Sequence, residues 1–146
     1  FKTGTLISPK HLRKHVFPIQ KKIVSIAHKQ GLPFLLHSCG NLEAVMQDLI
    51  EEVQIDARHS FEDAVEPVET FHSRYCDRLA VIGGVDMDLL SRGSPEKVRA
   101  RTRKILEECA PRGGYILGTG NSVANYIPPE NFIAMLDQGW RYNAQT

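Results

Sequence analysis

The sequence has no long apolar run. Its longest stretches are short, such as Leu79 to Ile82, far below the roughly 18 residues of a membrane span, so none is expected. Cysteine is scarce. Cys39, Cys76 and Cys109 form an odd, sparse set, which does not suggest a disulfide framework and points to a reducing, cytoplasmic setting. Neither sign of charge dominates. The 18 Lys and Arg against 17 Asp and Glu leave a net charge of +1, so there is no global basic signal for nucleic acid. Repeats, low-complexity tracts and linkers are absent. So are the Walker A, G-x-S-x-G and H-E-x-x-H patterns. The first ten residues lack an apolar core and a small-residue cleavage site, so no signal peptide is expected. The chain opens on Phe1 rather than Met and is expected to be trimmed from something longer. What is there is ordinary: 146 residues, 42% hydrophobic and 24% charged, the material of one globular domain.

Helical and strand patterns alternate. Ser8-Pro9 reads as an N-cap followed by Pro at the first helical position. Leu12, Val16, Ile19, Ile23 and Ile26 follow at helical spacing, with a kink expected at Pro18 and a C-cap at Gly31. Pro33 to Leu36 reads as a short buried strand. Asn41 caps a helix whose face is Leu42, Val45, Met46, Leu49 and Ile50. A strand is expected through Val53, Ile55 and Ala57. A capping box over Ser60 to Asp63 then opens a helix that buries Val65, Val68, Phe71 and Tyr75 or Cys76. Leu79 to Ile82 is the clearest strand. Ser94-Pro95 starts a helix with Val98, Ile105, Leu106 and Cys109 inside, stopping by Pro111. Tyr115 to Leu117 is a strand, and Pro128-Pro129-Glu130 opens a last helix closed by Gly139. One helix followed by four β/α units implies a parallel sheet with right-handed crossovers. Either an open doubly wound sheet or part of a (β/α)8 barrel satisfies that order.

Charge is uneven along the chain. Residues 1–30 carry seven Lys or Arg and no acid, and residues 41–70 carry nine Asp or Glu and one Arg. Such runs are ordinarily solvated helix faces, electrostatic steering being the alternative.

In both folds ligands sit beyond the C-terminal ends of the strands. Four stretches fall there: His37 to Gly40, Asp56 to His59, Gly83 to Asp86, and Gly118 to Asn121. His37 and Cys39 are soft zinc ligands two residues apart, so an extended backbone points both the same way. The plain alternative is a buried Cys and a hydrogen-bonded His, and no third ligand is named locally. Asp56 and His59 read as an acid/base or orienting pair; alternatively, Asp56 fixes loop amides and Arg58 pairs with a surface acid. Gly83 and Gly84 allow backbone to approach a ligand or form a strained turn, and Asp86 after them binds substrate or caps a turn. Gly118 to Val123 is not a dinucleotide loop: it lacks the third Gly and follows the fourth strand. His11, His15, His28 and His72 have helix positions and are expected to serve surface or packing roles.

The strand-end stretches resemble the uroporphyrinogen decarboxylase superfamily, which includes methyltransferases acting between corrinoid proteins and thiols. The resemblance runs through Thr5 to Pro9, Leu32 to Asn41, Ile82 to Asp86, Gly118 to Asn121 and Pro128 to Asn131. It implies a (β/α)8 barrel, with this chain as its C-terminal part, a single partial domain over residues 1–146. The other half of the barrel, or a second copy in a homodimer, would complete it. The methyltransferase branch resembles this chain in His-x-Cys, which implies His37 and Cys39 as zinc ligands, a corrinoid substrate or partner, and Asp86 near the acceptor. The family's third ligand is a Cys, and its position here is Asn121, a poor zinc ligand; Asp86 or a residue from the other half would have to replace it. The decarboxylase branch implies no cofactor, a small tetrapyrrole substrate and a role for Asn121 in the pocket. A non-catalytic barrel binding a corrinoid or tetrapyrrole is the third expectation. Asp86 and Asn121 are thus the catalytic candidates, and Gly83, Gly84, Asp56 and His59 the substrate-binding ones. No nucleic acid or membrane partner is expected, and the chain alone is expected to be inactive.

Overall fold

The computed structural model describes residues 2–144; Phe1, the non-Met start noted above, lies outside the described residues. Four short parallel strands form one sheet in the order β1-β2-β3-β4: β1 Leu35–His37, β2 Ala57–His59, β3 Ala80–Ile82 and β4 Tyr115–Ile116. Sequence order and spatial order coincide, as expected when each strand leads through a crossover to its neighbour.

The helices start where the sequence places its caps. The Ser8 side chain accepts from the His11 amide to open α1 (Pro9–His11), and Ser94 caps the Lys97 amide to open α5 (Pro95–Cys109). Gly31 stands at φ 69°, closing α2 (Phe17–Lys29) in the left-handed region that glycine tolerates. The kink expected at Pro18 takes the form of a π-helical segment, Leu12–Val16, directly before it. Proline lacks the N–H of a regular turn and its ring crowds the preceding carbonyl, and the wider turn accommodates both.

That extra residue corrects the predicted core face. Leu12 and Val16 pack against the core, but Ile19, Ile23 and Ile26 are 59%, 48% and 62% exposed. The buried side of α2 is Phe17 and Val24, with Gln20 and Ala27 half-buried. The stripe keeps its 3-4-3 spacing and moves by one residue, as a π turn requires.

Other boundaries also move. Val53 ends a π segment, Asp48–Val53, and Gln54 turns left-handed at φ 66°, so the strand predicted through Val53 begins only at Ala57. The predicted capping box does not cap: α3 is Val68–Tyr75 with Pro67 at its N-cap. A helix not foreseen, α4 (Met87–Arg92), follows Asp86. Gly139 does not stop α6 (Pro129–Asn143); a Cβ there would lie 2.6 Å from Leu117 Cδ2, so glycine permits close helix packing.

The core lies between the sheet and these helices. Leu36, Arg58 and Val81 are adjacent in register and buried. Phe71, Leu90, Ile105 and Met135 come from the helices above. On the opposite face Leu35 and Ile116 are exposed. The basic first helix meets the acidic segment in exposed pairs, Arg13 with Asp48 and Lys21 with Glu52, of the kind worth little individually.

Candidate functional site

β1 and β2 pair in parallel with His37 directly beside His59. Parallel neighbours in register point to the same face, so both imidazoles stand together at the strand ends. His37 Nδ1 and His59 Nδ1 are 2.7 Å apart. The His59 Nε2–H donates to the Thr119 carbonyl at 3.0 Å. Thr119 is held against Val85 by an isolated parallel bridge, and Gly83 makes room for the contact. A Cβ on Gly83 would stand 2.4 Å from Thr119 O and 2.9 Å from His59 Nε2, at φ 90°.

Cys39 lies just past β1 and is exposed. Its Sγ is 3.7 Å from His37 Nε2. The Ser60 hydroxyl donates to it at 3.6 Å and the Asn121 amide nitrogen at 3.3 Å. The orientation of the Asn121 amide is settled by its other end: the Ser122 N–H, which can only donate, meets Oδ1 at 2.8 Å. The side that faces Cys39 is therefore a donor. Below this loop the buried Arg58 donates to the Gly40 carbonyl at 3.3 Å. Its guanidinium lies 4.7 Å and 4.5 Å from the ring centroids of Phe61 and Phe71. Burial lowers its pKa to about 10.

His37 and Cys39 suit a shared zinc ion in spacing. Tetrahedral bonds of about 2.0–2.3 Å put two ligand atoms roughly 3.6 Å apart. Asn121 does not supply a third ligand, since it presents N–H. Among the described residues no three His, Cys, Asp or Glu side chains converge for a metal. The residues thus fit zinc as a two-ligand half-site.

The remaining candidates separate. Asp86 is an N-cap: its Oδ1 accepts from the Asp88 and Leu89 amides, and its Oδ2 from the Asp63 amide. It also lines an open cavity of about 840 Å³, together with Glu62, Asp63, Asp88, Asn121 and Tyr126. Gly84 at φ 113° leaves room for Val68, where a Cβ would come within 2.3 Å of Cγ1. The close approaches at Gly83 and Gly84 are thus to the protein's own residues. Asp56 stands before β2, at the far end of the strand from His59. It accepts from the Phe34 amide at 2.6 Å and pairs with His28 at 2.7 Å, so it fixes a loop amide and is not joined to His59. Arg58 is buried and does not meet the surface acid expected of it. Ser60, read as a cap, instead donates to Cys39; its place one residue after the His59 strand end was the only signal. His72 is buried and its Nε2–H donates to the Gly113 carbonyl at 2.8 Å.

The sequence profile described as uroporphyrinogen decarboxylase (URO-D) matches residues 2–141. A methylated-thiol–coenzyme M methyltransferase of Methanosarcina mazei is 31% identical over 133 residues, 90% of this chain and 33% of that protein. A uroporphyrinogen decarboxylase of Syntrophotalea carbinolica is 27% identical over 139 residues, 92% of this chain and 38% of that protein. A solved methyltransferase from Methanosarcina mazei superposes with TM-score 0.75 at 21% identity, over 94% of this chain and 39% of that one. The chain spans between a third and two-fifths of these relatives, and its four strands form an arc of the family's (β/α)8 barrel. No helix among the described residues is long and apolar enough to cross a membrane. By the match over nearly its whole length, the chain belongs to the uroporphyrinogen decarboxylase family.

Proposed function

We propose that this chain carries the zinc half-site of a methyltransferase that moves a methyl group from a corrinoid to a thiol. A segment outside the chain would complete the barrel. The observation that carries the reading is the 3.7 Å approach of His37 Nε2 to Cys39 Sγ on the open face of the strand ends. Zinc bound there would make an acceptor thiolate available at neutral pH. The protein's own part is positional. His59 holds the His37 ring, Ser60 and Asn121 donate to the Cys39 sulfur, and the cavity beyond Asn121 offers room for an acceptor. Asp86 shapes that cavity by capping α4. The methyltransferase relative supports the choice of branch.

Decarboxylation is the second reading, favoured by the decarboxylase relatives and by the Asn121 amide, which donates where a ligand would be needed. The cavity speaks against it from this side, because Glu62, Asp63, Asp86 and Asp88 would face a substrate bearing several carboxylates.

Elemental mass spectrometry of the complete protein tests the first reading. Roughly one zinc per molecule is expected there, and Cys39→Ser should lose it. Unchanged metal in that variant removes Cys39 as a ligand. Zinc binding in the complete protein without methyl transfer would favour a non-catalytic barrel.

A further inference from the structure

We infer that His59 is a positioning residue that sets the tautomer of His37. The Thr119 carbonyl can only accept a hydrogen bond. The His59 Nε2 facing it at 3.0 Å therefore carries a hydrogen. A neutral imidazole has one N–H, so His59 Nδ1 is a bare lone pair. His37 Nδ1 is 2.7 Å from it, and two bare nitrogens at that distance would repel. The hydrogen between them belongs to His37 Nδ1, which leaves His37 Nε2 bare and facing Cys39 Sγ.

This reverses the preference of a free histidine side chain, which favours hydrogen on Nε2. With that tautomer His37 would present an N–H toward Cys39, where it could neither ligate a metal nor accept a proton. The relay is anchored in backbone. Thr119 is pinned by its bridge to Val85, and glycine at position 83 leaves space for the His59 ring. A metal-bound histidine held through its other nitrogen is a general device. Here the holding group is a second histidine, which itself takes its tautomer from a carbonyl 60 residues along the chain. The zinc purpose rests on the function proposed above; the tautomer does not.

The test is nitrogen NMR on the full chain labelled with 15N-histidine and free of metal, followed by zinc titration. In the unsubstituted chain His37 should be protonated at Nδ1 and bare at Nε2, with a nitrogen–nitrogen coupling to His59 Nδ1 across the hydrogen bond. A His37 protonated at Nε2 overturns the proposal. In His59→Phe the hydrogen should move to Nε2 and zinc affinity should fall roughly 10–100-fold. His59→Asn, whose carbonyl oxygen can accept from His37, should restore both. Retention of the Nδ1–H tautomer in His59→Phe would also overturn it. If that variant does not fold, the coupling in the unsubstituted chain and the Asn variant decide. A chain that shows the tautomer and coupling upholds the role of His59 whether or not it takes up zinc by itself; the zinc reading fails separately if the complete protein takes up none.

Discussion

Gly83 shows how one missing methyl group supports the histidine pair. Its φ of 90° already disfavours any other residue. In addition a Cβ would strike Thr119 O and the His59 ring. Gly113 has a similar φ of 72° but nothing within 4 Å of its Cβ position, so it measures backbone strain alone. Both alanine substitutions should therefore destabilise, each by about 1–3 kcal/mol from strain, and Gly83→Ala by more. Urea midpoints at constant m-value check this; equal losses would mean that the contact at Gly83 relaxes without cost. Cys109 illustrates the opposite kind of residue. Burial pushes its thiol up to about 12, and with no exposure in the core it acts as a small apolar side chain.

Among the elements, α3 and α5 are joined by an ionic clamp around Glu69, to which Arg101 and Lys104 of α5 both contribute. Arg101 on α5 bonds both oxygens of Glu69 on α3, at 2.7 and 2.9 Å, and also reaches Asp63. Burial is the largest single influence on the Glu69 pKa and would raise it, but the hydrogen bonds from Arg101 and from its own backbone amide, with the charges of Arg101 and Lys104, together outweigh it and hold the carboxyl below its ordinary value. A carboxyl whose folded pKa is depressed contributes stability in full above its unfolded pKa. That contribution is lost as pH falls through the folded value. Melting temperature should therefore drop on acidification below about pH 4.5, the unpaired value. Glu69→Gln should melt lower at neutral pH and lose less on acidification. A parallel pH profile in the variant would show that Glu69 carries none of the acid sensitivity. The π segment before α2 works at the same scale. By adding one residue to a turn it redirects three isoleucines from core to surface.

For the molecule as a whole, the arrangement leaves apolar surface at both ends of the sheet. Ile19, Ile23 and Ile26 stand out on α2, whose Phe17 shares a small cavity with Leu36 of β1. Ile133, Leu136 and Trp140 stand out on α6, which packs on Leu117 beyond β4. Leu35 and Ile116 are exposed on the open sheet face, and β1 and β4 are edge strands. Unpaired edges and contiguous apolar surface drive association. The chain by itself is expected to associate as concentration rises in analytical ultracentrifugation. Trp140→Lys together with Ile23→Lys should weaken that association, and a chain that stays monomeric throughout would show these faces to be tolerated in water.

Much was legible in the sequence, because local chemistry fixes it. Ser-Pro starts, a glycine stop at Gly31, and apolar runs between polar turns give alternating β and α elements. The His-x-Cys spacing gives two groups on one side of an extended backbone. Other features were beyond local reading. The phase of α2 depends on how the chain absorbs Pro18. The role of Asp56 depends on which end of β2 it occupies, just before Ala57 and away from His59. The partnership of His37 with His59, the donors around Cys39 from Ser60 and Asn121, and the Thr119 carbonyl behind His59 join residues 21 to 82 positions apart. Which groups could act, and that they follow strands, is written in the local chain. Which of them meet is a property of the fold, because strand register and crossover packing are set by burial across the whole sheet rather than by neighbouring residues.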